Sequence, residues 1–91
     1  MNWKIVTLAG GFYYFGSEVQ AQEGYIGITK ASLFASFNGN KGMPGLARGD
    51  KDAKVSLDQF DQDGTILFPI SAVYAIAPSV NLYEQKGTTL R

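Results

Sequence analysis

The residues WKIVTLAGGFYYFGS, positions 3–17, read as a β-hairpin. Trp3, Ile5 and Thr7 alternate with Lys4, Val6 and Leu8, and Ile5, Val6 and Thr7 are β-branched. Such a run suits a pleated strand better than a helix. Gly10-Gly11 interrupts it, and glycine tolerates the positive φ of a tight turn. Phe12 to Gln22 is then a second, aromatic-rich strand. Gly16 inside it marks a bend or a close approach of backbone.

The same signals continue along the chain. Gln22-Glu23-Gly24 is a turn, and Tyr25 to Phe37 is a third extended stretch. Ile26 and Ile28 point one way, whereas Leu33, Ala35 and Phe37 point the other, so a bulge is expected near Thr29 to Ala31. Asn38 to Ala53 holds Gly39, Gly42, Gly45, Gly49 and Pro44 and reads as one long loop. Val55 to Phe60 alternates again, and Asp61-Gln62-Asp63-Gly64 is a turn. Thr65 to Ile70 is almost continuously apolar, as in a strand covered on both faces. Pro69 and Pro78 lack backbone N–H groups and close that strand and the next, Val73 to Ala77. Val80 to Tyr83 adds a short edge, and Glu84 to Arg91 reads as a loose polar tail.

These strands, in 91 residues without a sustained helical period, predict a single all-β domain spanning residues 1–91. Curvature of this kind indicates a small barrel. The chain has no cysteine and no histidine. No disulfide can staple it, and the usual zinc ligands are missing. Stability must come from a dense core, from oligomerisation, or from both. A hydrophobic share of 45% supplies such a core. The charged share, 18%, is low against a typical ~25%, which points to surface covered by another chain.

The formal net charge is zero. A nucleic-acid binder usually carries a basic excess, so RNA binding here requires a local site. Without His or Cys the common catalytic base and nucleophile are absent, and no enzyme activity or cofactor is expected. Asp61 to Gly64 echoes a calcium loop, but Gln59 and Ile70 occupy positions where ligands are required. Lys4 followed by apolar residues faintly resembles a signal peptide, but Gly10-Gly11 and Tyr13-Tyr14 break the run. No stretch approaches the ~20 apolar residues of a membrane span. The expectation is a soluble cytoplasmic protein with no membrane partner.

Two stretches carry a family resemblance. Val6-x-Leu8-x-x-Gly11-x-x-Tyr14-x-Gly16 resembles the first half of the motif of Sm-like proteins (Sm, LSm and Hfq). Gly64-x-Ile66-x-Phe68, then Val73-x-x-Ile76 and Pro78, resembles the second half. Ile26-x-Ile28 and Lys30-Ala31 resemble the family's third strand and its end, with the long loop where the family varies most. The resemblance implies a strongly bent five-stranded antiparallel barrel of SH3 type. Its short N-terminal helix is minimal or absent here, because the first strand begins near Trp3.

The resemblance also implies a partner, namely a second copy of the chain. In the family the fourth strand of one subunit pairs with the fifth of the next, giving a homo-oligomeric ring of about five to seven subunits under closed cyclic symmetry. Ile66, Phe68, Val73 and Ile76 are then the interface candidates. Sm-like rings commonly hold single-stranded RNA in a slot built by two loops. Here those loops offer Gln22, Tyr25 and Ser71, with Tyr25 as a stacking face. Pro69-Ile70 replaces the family's Arg-Gly pair, and the guanidinium is lost. Lys41 and Arg48, beside Lys51 and Lys54, make the long loop a second RNA candidate, with Asp50 and Asp52 offsetting part of the charge. The alternative is an assembly module that makes protein–protein contacts only. Some Sm-like proteins are phage-encoded, and the lost Arg-Gly pair fits a divergent member of that kind.

Overall fold

The computed structural model describes residues Met1–Arg91. Its strands are β1 (Trp3–Leu8), β2 (Tyr13–Val19), β3 (Tyr25–Asn38), β4 (Lys54–Gln59), β5 (Thr65–Pro69), β6 (Val73–Pro78) and β7 (Thr88–Leu90), with one helix, α1 (Gly42–Arg48). The sheet runs β6-β1-β2-β3-β4-β7, and β5 joins it through β3. Every pair is antiparallel except β4–β7. The fold is thus mostly β, as expected, but with seven strands rather than five. β5 and β6 share no ladder, so the sheet does not close into a barrel. Pro69 ends β5, a 3₁₀ turn at Ile70–Ala72 redirects the chain, and β6 leaves to pair with β1.

β1 buries neighbouring residues on opposite faces, because the sheet is covered on both sides. Ile5 belongs to one core with Phe15, Leu46, Val55, Leu57 and Leu82. Val6 belongs to another with Ile28, Ala31 and Phe68. In the first core Trp3 stacks on Phe15 with ring centroids 5.1 Å apart, and Tyr83 meets both rings edge-on. Aromatic pairs in these geometries add about 0.5–1.5 kcal/mol each beyond area burial. β5 alternates exposed and covered residues, so it is covered on one face and not on both.

β3 serves both cores because it is bulged. Phe15 pairs with Ser32 and Ser17 with Thr29, so Gly16 faces an extra residue at Lys30–Ala31. Lys30 has φ 53°, the left-handed conformation that side chains disfavour. The expected bulge is therefore present. A second irregularity lies between Phe34 and Ser36 against β4. It turns Phe34 and Phe37, and not Leu33 and Ala35, toward Tyr13. The Lys30 carbonyl accepts a hydrogen bond from the Tyr83 hydroxyl, and that oxygen lies 2.7 Å from Ser32 Oγ.

Two segments read from sequence as irregular are ordered, and one read as a strand is a 3₁₀ turn. The supposed loop at 38–53 carries the last residue of β3 and α1. Met43, Leu46 and Ala47 of α1 follow helical i, i+3, i+4 spacing and pack on the first core. Pro44 is tolerated in the first turn. Gly49, at φ 80°, ends the helix, with its N–H bonded to the Leu46 carbonyl and the Asp50 N–H to the Gly45 carbonyl. Val80 to Tyr83 is no edge strand: a 3₁₀ turn at Leu82–Glu84 seats Leu82 at 0% exposure. The segment 84–91, taken as a loose tail, contains β7 and lies against β4.

Two substitutions test the bulge. A Cβ at Gly16 would stand 2.9 Å from the Thr29 carbonyl oxygen, which is backbone and cannot swing away. Gly16→Ala is expected to destabilise by about 2 kcal/mol or more, whereas Lys30→Gly relieves left-handed strain and is neutral or stabilising by up to about 1 kcal/mol. Urea unfolding of both variants checks this.

Tyr83→Phe leaves the Lys30 carbonyl without its side-chain donor, at an expected cost of about 1–3 kcal/mol. Burial pushes the Tyr83 phenol above its ordinary value of 10.0, against the opposing Ser32 hydrogen bond. A raised folded pKa means stability is complete below the unfolded value and falls as pH rises above it. Unfolding followed through and above that value is expected to show a shallower alkaline loss in Tyr83→Phe than in the parent.

Candidate functional site

The chain carries no charged residue between Asp63 and Glu84, a stretch that includes β5 and β6. β5 pairs only with β3, and β6 only with β1, so each keeps one unpaired edge. Natural sheets blunt such edges with lysines, prolines or bulges, or cover them. Here Pro69 and Pro78 stand at the strand ends and no lysine intervenes. The outward side chains are apolar: Leu67 is 44% exposed, Ile70 53%, Tyr74 77% and Ile76 36%.

The four interface candidates divide. Phe68, 6% exposed, fills the second core, with half-buried Ile66 and Val73 packed against it. Their side chains therefore pack within their own subunit, and what they offer a neighbour is the main chain of the strand edge. Ile76 remains available on β6. Leu67, Ile70 and Tyr74 were missed; alternation beside the inward Phe68 and Val73 pointed to Leu67 and Tyr74, whereas Ile70 is exposed by the 3₁₀ turn after Pro69, which strand periodicity does not mark.

Gln22, Tyr25 and Ser71 come to one end of the sheet. The Tyr25 N–H closes the preceding turn on the Gln22 carbonyl at 3.1 Å, with Gly24 at φ 86°. Tyr25 pairs with Pro69, and the Ile70 N–H donates to the Gly24 carbonyl at 2.9 Å. Two loops distant in sequence are thereby joined, with Tyr25 40% exposed. The only charge that the turn and the 3₁₀ segment contribute is Glu23.

Lys41 and Arg48 are not part of this end. They flank α1, beyond the far end of β3. Arg48 is bound to Asp50 at 2.9 Å. A shallow cleft of about 450 Å³ lies between the turn after α1 and the segment before β7, where Lys51 and Lys86 are offset by Asp50 and Glu84. A second groove of about 460 Å³ runs beside Phe37, Asn38, Lys54 and Thr89. Neither gathers a basic field of the kind that nucleic-acid backbones require.

No helix is long and apolar enough to cross a membrane. No family model matches the chain, and no curated protein matches its sequence. The Sm-like resemblance thus rests on the residue pattern quoted above.

Proposed function

We propose that the protein is a self-assembling β-module whose copies join head to tail, the β5 edge of one against the β6 edge of the next, and that it works through protein contacts without catalysis. The observation that carries this reading is the pair of unpaired strand edges in one charge-free segment. The two edges differ in sequence, so their contact is heterologous, and repetition closes a ring when the rotation permits. Main-chain hydrogen bonds across the edges supply register, and Leu67, Ile70, Tyr74 and Ile76 supply apolar area. A ring of this kind is what the Sm-like resemblance implies, with about five to seven subunits as its expectation.

A second reading is single-stranded RNA stacked on Tyr25, with Gln22 and Ser71 at the base edge. It is favoured by the meeting of those three residues at one end of the sheet. It is weakened by the absence of a cation there.

Light scattering across a concentration series tests assembly. The expected result is a mass several times the 9.9 kDa of one chain. Leu67→Lys spoils the β5 edge and Tyr74→Lys the β6 edge, so each alone is expected to be monomeric. Mixed, they retain one good edge of each kind and are expected to form a dimer. A parent protein that is monomeric at all concentrations would sink the proposal. For RNA, an oligo-uridine titration with salt-dependent binding that weakens in Tyr25→Ala supports the second reading, and no binding at physiological salt removes it.

A further inference from the structure

The segment after Tyr83, the last side chain packed on the first core, is docked without a buried side-chain anchor. Leu82 is fully buried, and every residue beyond it is half-buried or exposed. What holds the segment is main chain. The Val55 N–H donates to the Gly87 carbonyl at 2.9 Å, the Arg91 N–H to the Leu57 carbonyl at 2.8 Å, and the Gln59 N–H to the Arg91 carbonyl at 3.1 Å. Thr88 Oγ1 donates to the Leu82 carbonyl at 2.6 Å. An Arg91–Asp58 ion pair at 3.3 Å is exposed on both sides and adds little. Beneath lies β4, with Val55 and Leu57 in the first core. Segments with few buried contacts open at low free energy while the core stays folded.

We propose that the outer edge of β4 is a strand-exchange site, and that its occupant is the segment 87–91 of a second copy of this chain. Opening bares the N–H and C=O groups of β4, which an extended segment can satisfy again. The geometry selects this sequence over an arbitrary peptide. A Cβ at position 87 would collide with the Ala53 carbonyl oxygen, which is backbone, so the residue there must be glycine. The register Val55↔Thr88, Ser56↔Thr89, Leu57↔Leu90 then brings Arg91 to Asp58. A second copy reproduces each of these contacts in trans. The exchange opens the short turn in which the Thr88 N–H bonds the Gln85 carbonyl at 3.2 Å, and also the Thr88–Leu82 bond. The exchanged form therefore grows with protein concentration by mass action. β4 and β7 lie at the other end of the strand order from β6, so this contact does not require pairing of β5 with β6.

The chain has no cysteine, so single cysteines report cleanly. Ser56→Cys and Thr89→Cys are placed on separate full-length chains, mixed at high concentration and oxidised. The expected result is a mixed disulfide-linked dimer several-fold more abundant than that from Ser56→Cys mixed with Gln22→Cys, and declining on dilution. The double variant Ser56→Cys/Thr89→Cys is expected to close within one chain, which verifies fold and register. A mixed dimer no more abundant than the control, while the double variant closes, overturns the proposal. The excess is expected to persist when both chains also carry Tyr74→Lys. Its loss there would make the cross-link a by-product of β5–β6 assembly and would equally overturn exchange at β4.

Discussion

The backbone bulge where Gly16 opposes Lys30 and Ala31 is the constraint on which the rest of the molecule turns. Without it, β3 would present one set of side chains to one face along its whole length, because a regular strand alternates with period two. With it, Ile28 and Ala31 reach the second core while Phe34 packs on the first. The same edge of β3 then receives β5 along its first half and β4 along its second. Two partners on one edge require the strand to change direction between them. The left-handed backbone of Lys30 supplies the change, and Gly16 makes room for it. Tyr83 ties the arrangement to the end of the chain by donating to the Lys30 carbonyl. The core residues of the last third of the sequence are thus positioned by a defect in the first third.

This explains why some of the architecture was legible in the sequence and some was not. The bulge left a clear mark: two apolar runs out of phase, beside a glycine in an aromatic strand. Pro69 and Pro78 marked strand ends for a simple reason, the missing N–H. The helix α1 was hidden because its three apolar contacts sit among glycines and a proline, and average composition outweighed the spacing of Met43, Leu46 and Ala47. The order of Glu84–Arg91 left no mark at all. That segment is fixed by main-chain bonds to β4, and a main-chain bond has no side-chain signature. β5 misled in the opposite direction: Leu67 is apolar and outward-facing, so a half-covered strand looked like a fully covered one.

The candidate site was legible to the same degree and for the same reason. Gln22, Tyr25 and Ser71 come to one end of the sheet because they flank strands whose ends the turns and prolines mark. Lys41 and Arg48, the separate candidate on the long loop, lie beyond the opposite end of β3, as their place in the chain already implied. Among the interface candidates, apolar character picked out β5 and β6, the two strands with an unpaired edge. It did not separate the side chains that fill the subunit from those that leave it, because β5 and β6 are apolar on both faces.

The outer edges of β4, β5 and β6 are managed in different ways, and the contrast bears on the proposed function. β4 is core-forming and its outer edge is covered by the chain's own last strand. β7, which covers it, is only three residues long and is followed by the charged Arg91, two features that limit further pairing. β5 and β6 receive neither device: they are uncovered and carry no charge. Both prolines stand at strand ends, and the intervening main chain can still pair. A sequence that shields one edge so fully and leaves two others bare and apolar is not uniformly careless of aggregation. The asymmetry fits the proposed pairing of β5 with β6, since those two edges are the ones left open while β4 is covered by the segment that fits it.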